Sequence, residues 1–292
     1  MIYLILAILF STLIFVVMRL FSRFGIDNHQ GLAWNYATAT GIGYLMSALN
    51  GPLTSPVGEA WFPLSLLTGF WFILTYVLMT VSSQRSGVTV TSLSSKLSVV
   101  IPTLFGVLIL KEALGMMPAI GIVLALVALV LVVGGKKGEE KAASRKNTSA
   151  WIALLPVFIF FGTGIGDVLM KITETANHAD DLTPMIAFIY GISFLFSLLL
   201  VGFDFAKKKS KWHWKNMVGG MILGGVNFFS TYFVYQSMRV FDNVVLFPIY
   251  NIGVVCLTAL AGWGLFKEKL TWKNYLGLGI AILAVILIAL KP

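Results

Sequence analysis

Charge is scarce in this chain. Only 11% of its 292 residues are Asp, Glu, Lys or Arg, against roughly 25% in soluble globular proteins, which excludes a large water-soluble core. Cysteine is nearly missing too. The single Cys256 falls in an apolar run, so no intramolecular disulfide can form. The three histidines, His29, His178 and His213, fall in loops with no pairing at metal-ligand spacing. No metal site, nucleophilic triad or pair of catalytic carboxylates can be assembled, so the residues support neither a cofactor nor an enzyme. Gly162-Thr163-Gly164-Ile165-Gly166 lacks the preceding strand and the following Lys-Ser/Thr of a phosphate loop. Its Gly162/Gly166 spacing, like that of Gly220/Gly224, suits close helix packing instead.

What the chain has in quantity is apolar surface: 58% hydrophobic residues and a mean hydropathy of +0.90. A spanning helix needs about 20 mostly apolar residues, because every backbone polar group must be satisfied within the segment. Ten such stretches are predicted, at 2–22, 32–49, 61–82, 88–110, 115–134, 150–171, 184–203, 216–237, 243–266 and 273–290. The fold class is therefore an all-α polytopic membrane protein. Met1-Ile2-Tyr3 carries no positive flank, and the first apolar run is long with no clear cleavage site, so a retained first helix is expected.

Residues 69–133 and 225–289 repeat each other in one ungapped register. Gly69 pairs with Gly225, Thr75-Tyr76 with Thr231-Tyr232, Gly106 with Gly262, Lys111-Glu112 with Lys267-Glu268, and Gly121 with Gly277. The expected organisation is a first five-helix repeat over 1–134, a linker over 135–149 and a second five-helix repeat over 150–292. Five is odd, so the second repeat enters the membrane inverted. Inverted repeats around a midplane site are a common transporter plan.

The net charge of +9 sits in loops flanking the apolar spans, facing lipid headgroups, and leaves no nucleic-acid footprint. Alternating loops collect Arg19, Arg23, Arg85, Lys136, Lys137, Lys141, Arg145, Lys146, Lys207, Lys208, Lys209, Lys211, Lys215, Lys267, Lys269 and Lys273 on one side. Only Lys111, Lys171, Arg239 and Lys291 fall on the other. The positive-inside bias makes the crowded side cytoplasmic and puts both termini outside. Trp151, Trp212, Trp214 and Trp272 mark cytoplasmic helix starts, as interfacial aromatics do. The sequon Asn147-Thr148-Ser149 would then lie on the side where it is not used.

Each half has a Pro-containing fourth helix, a Glu-x-Leu turn and a Gly-bearing last helix. The matching segments run from Ile101-Pro102 through Lys111-Glu112-Ala113-Leu114 to Gly121, and from Phe247-Pro248 through Lys267-Glu268-Lys269-Leu270 to Gly277. In these features the chain resembles the EamA-type drug/metabolite transporter superfamily. The resemblance implies ten transmembrane helices as two inverted five-helix repeats, a central cavity and secondary transport of a small metabolite. It also implies a bacterial inner (plasma) membrane, with the lipid bilayer and a small-molecule substrate as partners and a homodimer compatible. Two features depart from the pattern. Pro102 pairs in register with Thr258 and Pro248 with Ser92, and the family is usually drawn with cytoplasmic termini.

Lys96 is the only charged residue deep in a predicted span, about 12 Å from its start at 1.5 Å per residue. An ionised Lys there costs roughly 2.5–3.5 kcal/mol, so it faces a wet cavity or a partner. Thr89, Ser92 and Thr103 share its face by helical spacing, and Ser95 adjoins it. Two readings stand: a point charge for an anionic substrate or a coupling proton, and a structural Lys that snorkels or caps helix carbonyls. In the repeat Ile252 stands opposite Lys96 and Asn251 opposite Ser95. Tyr250 and Asn251 supply polar groups at similar depth, beside a helix interruption expected at Pro248.

Asn35, Tyr36, Tyr190, Asn227 and the Thr-Tyr pairs, with Tyr232, are further substrate-binding candidates. Interhelical packing is the alternative for each, as it is for Trp34, Trp71 and Trp263. Asp167 is either a coupling or gate carboxylate or half of a local i,i+4 pair with Lys171. The doubled Lys-Glu is expected to be turn architecture, each Glu offset by a local Lys or by a backbone amide of a neighbouring helix. The expected function is secondary transport of a small polar metabolite, leaning to anionic or zwitterionic species such as amino or organic acids. The alternatives are a cationic or neutral cargo and a non-transporting membrane scaffold.

Overall fold

The computed structural model describes residues 2–50, 57–108, 115–117, 119–128, 131, 150–177, 182–207, 211–238, 243–268 and 271–289. The linker 135–149 with its sequon, the first Lys111-Glu112 turn, His178, Arg239 and Lys291 lie outside them, as do the side chains of Thr103, Pro248 and Ile252. The chain forms α1 (Ile2–Phe24), α2 (Asn28–Asn50), α3 (Phe62–Arg85), α4 (Val88–Leu97), α5 (Val100–Leu108), α6 (Ala119–Ala128), α7 (Ala150–Thr175), α8 (Thr183–Ala206), α9 (Trp214–Met238), α10 (Asn243–Phe266) and α11 (Trp272–Ala289). No strand occurs among the described residues.

Among the described residues, five helices (α1, α3, α7, α8 and α9) are long and apolar enough to cross a membrane, with mean hydropathies between 1.4 and 2.6. Shorter apolar stretches come from α4 to α6, α10 and α11. The helix α2 is more polar because it is packed against α8 and α9, with Gln30, Asn35, Tyr36 and Ser47 all buried. Glycine makes that contact close. An added Cβ on Gly220 would come within 2.4 Å of the Gly31 carbonyl, and one on Gly224 within 2.4 Å of the Asn35 carbonyl. Gly162 and Gly166 likewise bring α7 against Thr75 and Trp71 of α3.

Two apolar cores result. One joins α1, α2, α3, α8 and α9, with Ile159 of α7 and Val254 of α10. The other joins α4, α6 and α11 around Phe160 of α7 and Val255 of α10. Leu45, Leu49, Leu199, Leu260 and Trp263 stay exposed on the outside, as lipid-facing residues do.

One end of the bundle is densely tied together. Arg19 Nη1 donates to the carbonyls of Ser83 and Gln84, and the Asn28 and Gln84 amides exchange bonds of 2.7 and 3.2 Å. Asn216 accepts from the Asp27 amide at 3.0 Å and donates to Gln30 at 2.8 Å. His29 Nδ1 lies 2.5 Å from Asp204 Oδ2.

Two helix expectations are corrected. Residues 88–110 do not form one continuous helix, because α4 ends at Leu97 and α5 begins at Val100. At the break Ser98 N bonds Ser95 O at 3.3 Å and Ile101 N bonds Ser98 O at 2.8 Å, a tightening to i→i+3 turns. The Ser98 hydroxyl donates to Ser95 O at 2.5 Å, the kind of local side-chain bond that competes with the helical ladder. Conversely, no interruption occurs at Pro248. The helix α10 runs unbroken from Asn243 to Phe266. Pro248 sits in its second turn, where the missing N–H removes only a bond back to the first turn.

Candidate functional site

Lys96 is the last polar residue before the break, and its side chain turns toward α10. Its ammonium rests over the Tyr250 ring, 4.2 Å from the centroid, a cation–π contact. A recess beside it is lined by Leu93, Lys96, Leu97, Asn251, Val255, Ala281 and Ile282. Among the described residues no carboxylate comes within 4.0 Å of Lys96, so the ring is its only described direct partner. Lys96, Tyr250 and Asn251 thus meet where the two apolar cores abut.

Tyr250 leads into a hydroxyl chain. Its OH lies 2.6 Å from Ser11 Oγ, which lies 2.6 Å from Ser230 Oγ. Next to it stands an amide–phenol cluster. Asn227 Oδ1 accepts from Tyr76 OH at 2.6 Å and from Tyr190 OH at 3.4 Å, while Asn227 Nδ2 donates to Asn35 Oδ1 at 3.3 Å. Tyr190 OH also pairs with Thr231 Oγ1 at 2.7 Å. The Tyr36 ring packs on Tyr76 and Tyr190, with centroids 5.8 and 6.1 Å apart. Tyr36 OH and Asn35 Nδ2 are buried without a hydrogen-bond partner among the described residues. Unpaired groups like these are expensive, and a polar ligand would satisfy them.

The other candidates have partners already. Thr89 gives its backbone N–H and its hydroxyl to Glu268, at 3.4 and 3.1 Å, and Val88 N donates to the same carboxylate at 2.8 Å. Glu268 therefore caps the start of α4, where the helix dipole favours an anion. Gly87 at φ +90° and Gly262 leave room for it, since an added Cβ on either would approach the carboxylate to 2.7 or 2.6 Å. Ser92 Oγ pairs with Thr258 Oγ1. The Ser95 carbonyl takes the bonds from Ser98 at the break. Tyr232 stacks on Phe228 with centroids 6.3 Å apart, a packing role. Trp71 donates to Gly162 O at 2.7 Å, and Trp263 is exposed.

Asp167 is exposed. Its neighbours are the Ser98 hydroxyl and, electrostatically, Lys96, so it faces the break. Ser11, Thr163 and Ser230 were not candidates from sequence. Ser11 and Thr12 are the only hydroxyl residues between Tyr3 and Val17, and that isolation is the one signal that marks them.

Residues 1–134 match the EamA-like transporter family. Over those residues the chain is similar to that family, which belongs to the drug/metabolite transporter superfamily. The chain is 27% identical over 288 residues to an uncharacterized protein of Haemophilus influenzae, covering 97% of this chain and 95% of the relative. A protein of known crystal structure superposes with a TM-score of 0.59 at 12% identity, over 97% of this chain and 96% of the other. At that identity the likeness is one of fold. The family match and the apolar helices together point to a multi-pass membrane protein of transporter type.

Proposed function

We propose that this protein is a drug/metabolite transporter, a secondary carrier for a small anionic or zwitterionic metabolite such as an amino or organic acid. It would work by alternating access between two inverted five-helix repeats, 1–134 and 150–292. The observation that carries this reading is Lys96: a deep ammonium with an aromatic ring for support and no carboxylate in contact among the described residues. A cargo carboxylate or phosphate would complete the charge balance that the ring supplies only in part. The Asn35–Tyr36–Asn227 cluster would then receive the neutral polar part of the cargo.

The tied end of the bundle carries Arg19, Lys211 and Lys215, and the positive-inside bias makes it cytoplasmic. With that end closed and Asp167 exposed, the arrangement fits a state open to the outside. Both termini would lie outside the bacterial inner membrane.

The ring cluster of Tyr36, Tyr76, Tyr190 and Tyr250 favours a second reading, a cationic cargo held by aromatic faces. Uptake into proteoliposomes of labelled metabolites, grouped by charge class, separates the two. Anionic or zwitterionic species should be moved, with Lys96→Ala slowing them by about tenfold or more, the scale of one lost charge-assisted contact. Wild-type rates in a monodisperse Lys96→Ala preparation would refute the assignment. A cytoplasm-only reporter fused after Pro292 should be silent.

A further inference from the structure

The break between α4 and α5 also meets α7, where Thr163 reaches it. There the Ser95 carbonyl is approached by Ser98 Oγ at 2.5 Å and by Thr163 Oγ1 at 3.4 Å. Thr163 has its own acceptor, the Ile159 carbonyl at 2.6 Å. Each hydroxyl thus spends its single proton on a backbone carbonyl, which leaves its oxygen lone pairs available. One turn along α7 from Thr163, Asp167 brings a carboxylate toward the Ser98 hydroxyl.

We propose that this break binds a monovalent cation of sodium size, held by the Asp167 carboxylate and the Ser98 and Thr163 hydroxyls. Hard cations take oxygen ligands, and unwound helix ends supply them within membranes. A single carboxylate balances one positive charge. A proton would need only one of these oxygens, whereas a cation would draw on all three. Lys96, the other charge that acts on Asp167, keeps its ammonium over the Tyr250 ring of α10. A cargo anion that holds Lys96 there would leave Asp167 to the cation, so the two would bind better together than apart.

That coupling rests on the transport reading, but the cation site itself does not, and the test is a binding measurement without cargo. Thermal unfolding of the purified full-length protein in detergent is followed while NaCl replaces choline chloride at constant ionic strength. Sodium should raise the midpoint saturably, because a ligand of the folded state stabilises it. Asp167→Asn should abolish the sodium response, Thr163→Val should raise the half-saturating concentration about tenfold, and Thr163→Ser should restore it. Three outcomes overturn the proposal: equal midpoints in sodium and choline, a sodium response that survives Asp167→Asn, or a response to pH with none to sodium. The wild-type comparison decides the matter even if a variant fails to fold. Transport that fails while sodium still binds would sink the carrier reading and leave this site standing.

Discussion

Ser92 Oγ and Thr258 Oγ1 lie 2.5 Å apart, a buried hydroxyl pair that joins α4 to α10. In the repeat register these residues stand opposite Pro248 and Pro102. The contact therefore has no hydrogen-bonded counterpart, since proline has neither a hydroxyl nor an N–H. Thr258 also donates to the Val254 carbonyl at 2.8 Å, so the pair is already satisfied. Thr258→Val and Ser92→Ala should each lower stability by about 0.6–1.7 kcal/mol, the range of side-chain hydrogen bonds between membrane helices. The double variant should cost less than the sum, as read from unfolding in a double-mutant cycle.

Glu268→Gln keeps a hydrogen-bond acceptor for Val88 and Thr89 but loses the charge that suits the α4 dipole. Glu268→Ala loses both. The expected order of thermal stability is wild type, then Gln, then Ala, with the full loss about 1–2 kcal/mol. Gly87→Ala should be worse than either change at Glu268, because φ +90° strains any L side chain and its Cβ meets the carboxylate at 2.7 Å.

Tyr250 separates two functions of one side chain. Tyr250→Phe keeps the ring under Lys96 and loses only the Ser11 bond. Tyr250→Leu removes the ring. In the proteoliposome assay the Phe variant should retain most transport. The Leu variant should weaken cargo affinity or stability by about 0.5–2 kcal/mol, the worth of a cation–π contact. Equal behaviour of the two would deny the ring any electrostatic part.

Glycines sort by neighbour. Gly220→Ala and Gly224→Ala must push α2 and α9 apart and should lose several degrees of melting temperature. Gly41→Ala and Gly264→Ala meet nothing within 4 Å and should be neutral or gain about 0.5–1 kcal/mol of helix propensity.

The helices were legible because each must satisfy its own backbone in lipid, and long apolar runs betray that. Close packing at Gly220 and Gly224 was legible from their spacing, but that α2 is the partner was not. The break at Ser98 was not. Sequence arithmetic carried the Lys96 face through to Thr103 as if the helix were continuous, and it gave Pro248 the interruption that serine hydroxyls cause near Ser98. Thr89 illustrates a different limit. Its place near Lys96 on α4 follows from spacing, but Glu268, nearly 180 residues away in sequence, has taken its donors. Ser11 and Ser230 meet across even greater separation, and no periodicity links them.

The broken α4 beside an unbroken α10 has a kinetic consequence. If the halves were interchangeable, the inward and outward states of an empty carrier would be equal in energy, and cargo would cross alike from either side. One flexed helix removes that equality. A carrier of this build should show different KM and different maximal rates for entry and exit. The ratio of rate to KM must still agree in both directions when no second gradient drives it, because a passive cycle cannot favour one side at equilibrium. Any departure from that agreement in sodium-free vesicles would reveal an energy source other than the cargo itself.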